Sequence, residues 1–251
     1  MKQWYWIGLV GFSLLWGCST SENSRLLIQF QVVAADETVG LNKPFTIQGR
    51  TWIISRLQWY LAQPTVTTTE DTLLLSPDCH LFNMETPSVL WDLTLPPGAY
   101  TGFQMGLGVD AARNDSSGLA AIPAWQYPAE HPLSPAADMY WSWNPGYIFL
   151  KIEGRVDVNN NGDLAEAGET FSIHPGLNPC YRSWETPFFF SVEAGEEQVM
   201  TTRLILDSLL QDWPLTPEWL NVHPMNLQSD ALPRAELMMN RFQHALVRVA
   251  P

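Results

Sequence analysis

Charge is scarce in this sequence and unevenly signed: Asp, Glu, Lys and Arg make up 16% of 251 residues, with 13 basic residues against 26 acidic ones. The resulting net charge of −13 argues against a nucleic-acid partner, because a polyanion must be neutralised by Lys and Arg. Cysteine is scarcer still, at three residues. No apolar run reaches the roughly 20 residues that a membrane-spanning helix needs. Gly-x-Ser-x-Gly, His-Glu-x-x-His and a phosphate loop are all missing, so hydrolase and nucleotide chemistry have no visible machinery and the chain reads as a non-enzyme. There is no internal repeat.

What is present is the balance of a turn-rich β protein: 46% hydrophobic residues, 19 prolines and 16 glycines. Leu26, Ile28, Phe30 and Val32 alternate along a first strand, and Phe103, Met105, Leu107 and Val109 along a later one. Further strands are expected at 52–61, 72–75, 188–192 and 199–206. Short strands separated by Pro, Gly, Asn and Asp predict an all-β fold, an antiparallel sandwich of Ig-like or jelly-roll-like type. Near the end, Ala235, Met238, Met239 and Phe242 recur at helical spacing and predict one short C-terminal helix over 233–246. The whole of 26–251 is expected to form one domain.

The beginning reads as an export signal. Lys2 precedes an apolar run from Trp4 to Trp16 that ends in Leu15-Trp-Gly-Cys18. This ending matches a bacterial lipobox, so residues 1–17 are expected to be removed, Cys18 to be lipidated and 18–25 to serve as a tether. Ser19 after the Cys fits an outer-membrane lipoprotein, periplasmic or cell-surface. Cys79 and Cys180 then remain as an even pair in an exported chain, which predicts a disulfide closing about a hundred residues. Such a bridge would bring His80 and His174 into one region.

The chain centres on Asp138-Met-Tyr-Trp-Ser-Trp-Asn-Pro-Gly-Tyr-Ile-Phe-Leu-Lys-Ile-Glu-Gly154. A turn at Asn144-Pro-Gly146 leads into a strand in which Ile148, Leu150 and Ile152 alternate with Phe149, Lys151 and Glu153. This stretch resembles the signature of the MbnP-like family, periplasmic or surface proteins related to copper-binding proteins of methane-oxidising bacteria. In the same order come Leu57-Gln-Trp-Tyr-Leu61, His80-Leu-Phe-Asn83, Gly98-Ala-Tyr100, Gly108-Val-Asp-Ala-Ala-Arg-Asn114 and Phe171-Ser-Ile-His-Pro-Gly176, with Asn240-Arg-Phe242 at the close. Pro175 and Pro179 depart from the family pattern.

The resemblance implies a role in copper acquisition or handling. It implies one copper ion held by His80 and His174, with His223 as a third candidate, since imidazole is a favoured copper ligand. It also implies that a tryptophan, oxidised to kynurenine by a MauG-type di-haem partner enzyme, completes the site. Trp141 and Trp143 are the first candidates and Trp91 follows. His131 reads as a loop residue and His244 as structural.

A second ion site is suggested by Asp157-Val-Asn-Asn-Asn-Gly-Asp-Leu-Ala-Glu-Ala-Gly-Glu169. Oxygen donors at Asp157, Asn159, Asn161 and Asp163 with Gly162 sixth resemble a calcium loop, with Glu166 and Glu169 in place of the usual acid at the twelfth position. A rival reading is a carbohydrate- or protein-binding sandwich with structural calcium, which exposed tryptophans would favour.

Overall fold

A computed structural model describes residues 23–86, 90–114, 122–141 and 146–250. Residues 1–22, Cys18 among them, and Trp143 lie outside these. Fourteen strands are present among the described residues: β1 (Ser24–Ala34), β2 (Glu37–Thr38), β3 (Pro44–Ile47), β4 (Arg50–Thr67), β5 (Thr72–Leu74), β6 (His80–Asn83), β7 (Trp91–Leu95), β8 (Gly98–Leu107), β9 (Leu150–Val156), β10 (Thr170–Ile173), β11 (Arg182–Val192), β12 (Glu197–Ile205), β13 (Asn221–Val222) and β14 (Leu246–Arg248). Three α-helices accompany them: α1 (Leu206–Leu210), α2 (Pro217–Leu220) and α3 (Leu232–Ala245).

The strands form two sheets. The smaller runs β14-β12-β1-β2 with β7 also on β1, and the larger runs β11-β8-β4-β9-β10-β13 with β3, β5 and β6 also on β4. The all-β sandwich with a short C-terminal helix is therefore as expected, but it is mixed and not purely antiparallel. β1 and β12 run parallel from Arg25↔Glu197 to Val33↔Ile205, and β10 and β13 run parallel at Ser172↔Asn221 and Ile173↔Val222.

β4 is the spine of the larger sheet. Gln58 pairs with Asn83 of β6 and with Lys151 of β9, and Leu61 pairs with His80 of β6 and with Leu107 of β8. So β6 lies along one side of β4, while β9 and β8 lie end to end along the other. The register shifts between Ala62 and Thr65, where Gln63 takes a positive φ of 49°. This bulge interrupts the pairing of β4 with β8.

Alternation along β4 and β9 separates two faces. Trp59 stacks on Phe82 at 3.8 Å, and both meet Phe30 of the other sheet at 5.7 Å, which marks the inner face. Leu57, Leu61, Leu150 and Ile152 share that face and are fully buried. Each such side chain contributes about 1.5 to 3 kcal/mol on leaving water. α3 adds Phe242, edge-on to Trp59 at 5.5 Å.

The outer face is also covered. There the Tyr60 hydroxyl donates to the Pro132 carbonyl at 2.6 Å, and the Tyr147 hydroxyl donates to that of Leu133 at 2.9 Å. Segment 122–141 and the residues from Gly146 onward thus roof the outer side of β4 and β9, and the signature aromatics supply that roof.

Candidate functional site

A polar row crosses the roofed outer face. Arg56 of β4 pairs with Glu153 of β9, Glu153 with Ser172 of β10, and Ser172 with Asn221 of β13. The parallel register Ile173↔Val222, continued one residue by the bond from the His174 amide to the Val222 carbonyl, sets His174 beside His223. Their rings lie 4.6 Å apart at 70°.

The two imidazoles share one hydroxyl. Ser172 Oγ is 3.2 Å from His174 Nε2 and 3.0 Å from His223 Nε2. Glu153 Oε1 stands 2.8 Å from the same nitrogen of His174. The hydrogen bond from His174 holds the Glu153 carboxyl below the usual carboxylate range, with Arg56, 4.0 Å away, and Lys151 assisting. Burial first, and the neighbouring His174 second, lower His223 to about 4, which keeps its ring neutral and available as a donor. His174 itself is 9% exposed.

Beside this group lies a second charged cluster. Lys151, 4% exposed, donates to the Asp138 carboxylate at 2.9 Å, and Arg56 reaches the same oxygen at 2.6 Å. Although burial pushes Asp138 upward, the bond from Lys151 and the two cations keep its carboxyl below the ordinary range. Asp138 opens the signature, so this cluster ties the roof to β4 and β9.

Trp141 lies against Gly176, in the segment that follows His174. An added Cβ at Gly176, two residues beyond His174, would meet the Trp141 ring at 2.8 Å and the Tyr147 carbonyl at 2.5 Å. The indole is 2% exposed and not part of an open stacking strip. That burial removes from the carbohydrate reading the exposed tryptophan it needed here.

His80 is elsewhere. It follows the parity of Phe82 and so lies on the inner face, where its ring stacks on Trp91 at 5.3 Å and 12°. Its Nε2 is buried without a hydrogen-bond partner, and burial lowers its pKa to about 4. His174 is on the outer face and three strands further along, past β4 and β9 at the end of β10, so the expected sharing of one ion by His80 and His174 is corrected: the sheet itself stands between them. His223, expected as a third candidate, is the actual partner of His174.

The expected disulfide is corrected as well. Cys79 and Cys180 are both free and buried. The row His80–Leu61–Leu107–Arg182 across β6, β4, β8 and β11 puts three strand spacings, about 14 Å, between the strand positions that neighbour the two cysteines, whereas a disulfide needs Cα atoms within about 7 Å. Burial raises Cys79 to about 11 and Cys180 to about 12. Cys79 Sγ instead accepts a hydrogen bond from Arg113 at 3.2 Å.

The remaining histidines are accounted for locally. His131 stacks on Tyr127 at 4.2 Å and accepts from the Leu133 amide, and exposed His244 meets the Asn240 carbonyl within α3. In the Asp157–Glu169 loop between β9 and β10, Asp157 and Glu169 are buried, while Asn159, Asn161, Asp163 and Glu166 are exposed. Among the described residues, no group of three or more His, Cys, Asp or Glu side chains is arranged to hold a metal ion. The outer-face pair brings two imidazoles together around one hydroxyl.

Sequence reasoning passed over Glu153, Ser172, Lys151 and Arg56. Their signal was the polar half of the alternation, Lys151-x-Glu153 and Ser172-x-His174, which reads as a solvated face until the roof is known.

The family model described as MbnP matches residues 23–226. Among solved structures, MbnP from Methylosinus trichosporium aligns with a TM-score of 0.53 at 13% identity, covering 85% of this chain and 87% of that one. At this identity the likeness is one of fold. A search of curated proteins finds no match.

Proposed function

Because this chain belongs to the MbnP family, we propose that it is an exported copper-binding protein that holds one ion between His174 and His223 and acts in copper acquisition or handling. The observation that carries the reading is the convergence of two imidazole nitrogens, at 3.2 and 3.0 Å, on the single Ser172 hydroxyl. Neutral imidazole suits copper, and a shift of about 1 Å per ring brings such nitrogens to the roughly 2.0 Å of a metal–imidazole bond. Glu153, bonded to that same His174 nitrogen, would release it to the metal and balance the positive charge of the bound ion. Trp141, beside Gly176, is the residue we assign to modification by a MauG-type di-haem partner, the product supplying the third donor.

A second placement has its own supporting observation. The buried, unpartnered Nε2 of His80 stacked beside Trp91 is a donor without an acceptor to serve. Copper titration of three variants separates the two placements. We expect His174→Ala and His223→Ala each to weaken binding by at least about a hundredfold, the loss of one of two strong donors, and His80→Ala to leave it unchanged. Loss in His80→Ala alone would move the site to the inner face. Wild-type affinity in all three would remove the copper reading.

A further inference from the structure

Glu169 carries a carboxylate that the fold does not satisfy. It is 2% exposed, its Oε1 accepts from the Val158 amide at 3.2 Å, and its Oε2 has no partner at all. A bare carboxylate oxygen in the interior is strongly unfavourable unless a cation meets it. The amide it touches belongs to the residue after Asp157, whose own carboxylate is also only 2% exposed. Two buried acids therefore stand at the base of one loop.

The rest of the loop is already shaped. Asp157 Oδ1 and Oδ2 accept from the amides of Asn161 and Gly162 at 3.0 and 2.8 Å, which fixes the carboxylate inside the turn. Gly162 takes a φ of +84°, which lets the chain reverse at the sixth position. Glu166 receives the amide groups of Asn159 and Asn161 at 2.7 and 3.0 Å, so both amide side chains are held.

We infer that the Asp157–Glu169 loop is a calcium site, its donors the carboxylates of Asp157 and Glu169, the side-chain oxygens of Asn159 and Asn161, and the main-chain carbonyl of Asp163. Glu169, one residue later than the usual acid, fills that acid's role because it is the buried carboxylate lacking a partner. The donor set is all oxygen, which selects a hard cation, and a cage of protein oxygens favours calcium over magnesium, which keeps several of its waters. It does not rest on three acidic side chains, because amide and carbonyl oxygens complete it. It is also independent of the copper reading.

The test uses the full chain stripped with a chelator, followed by calorimetric titration and thermal melts in calcium or magnesium chloride. Wild type is expected to bind one calcium per chain in about the micromolar to millimolar range, with a melting temperature that climbs with calcium and responds less to magnesium. Glu169→Gln should weaken calcium by about tenfold or more. Should that buried variant fail to fold, Asn159→Ala at an exposed position decides: weaker calcium with an unchanged chelator melt supports the site. No heat and identical wild-type melts in chelator and in millimolar calcium would overturn the inference, as would wild-type affinity in a folded Glu169→Gln.

Discussion

At His80 the two chemical demands on a buried imidazole are met unequally: the ring has an aromatic partner in Trp91, while its Nε2 has none. Its pKa of about 4 in the folded chain lies below the 6.5 of a free imidazole, so the unfolded chain binds the proton more tightly. Stability is therefore complete above pH 6.5, declines as pH falls toward 4, and levels off below. His80→Phe keeps the stack and removes the titrating group. Denaturation from pH 7 to 4 should show a shallower acid loss in this variant, by at most about 3 kcal/mol, and an unchanged slope would show that His80 does not titrate in this way. Five histidines made the candidates easy to pick from sequence, and two of the three singled out for copper do meet. His80 was grouped with His174 wrongly because residues an even number apart on one strand share a face, but residues on different strands share one only once register is known.

Strand alternation was legible at the level of the element: β1, β4, β8, β9, β12 and α3 all lie where their periodicities placed them. The neighbours of each strand were not. The two-residue β13 carries no periodic signal, yet its parallel register on β10 is what seats His223 beside His174. The roof has no regular alternation either, and it buries Lys151 on the polar side of β9 while leaving Glu153 partly exposed. Gly176 is the joint where β10's continuation passes beneath that roof. Gly176→Ala should push Trp141 and the Tyr147 backbone outward, destabilising the fold by about 1 to 3 kcal/mol through overpacking, and should lower copper affinity. Thermal melts alongside copper titration check this. An alanine variant with wild-type stability and affinity would mean that Trp141 is not held against the site.

Seen as a whole molecule, the sandwich keeps its polar chemistry on the outer face of the larger sheet and gives the space between the sheets to aromatics. The histidine pair lies at the ends of β10 and β13 and the oxygen-rich loop joins β9 to β10, so both depend on the same antiparallel β9–β10 pair. A net charge of −13 draws cations toward the chain and repels polyanions. The order of short motifs along the chain announced the family; the histidine pairing needed three dimensions. The central claim is that the outer-face pair holds copper. The most direct measurement is the metal content and peptide mass map of wild type and a His174→Ala/His223→Ala double variant purified in parallel from the native host. The account predicts one copper per wild-type chain, a Trp141 peptide that has gained an oxygen and lost a carbon, and no copper in the double variant. A double variant that retains its copper, or wild type that carries none, would contradict it.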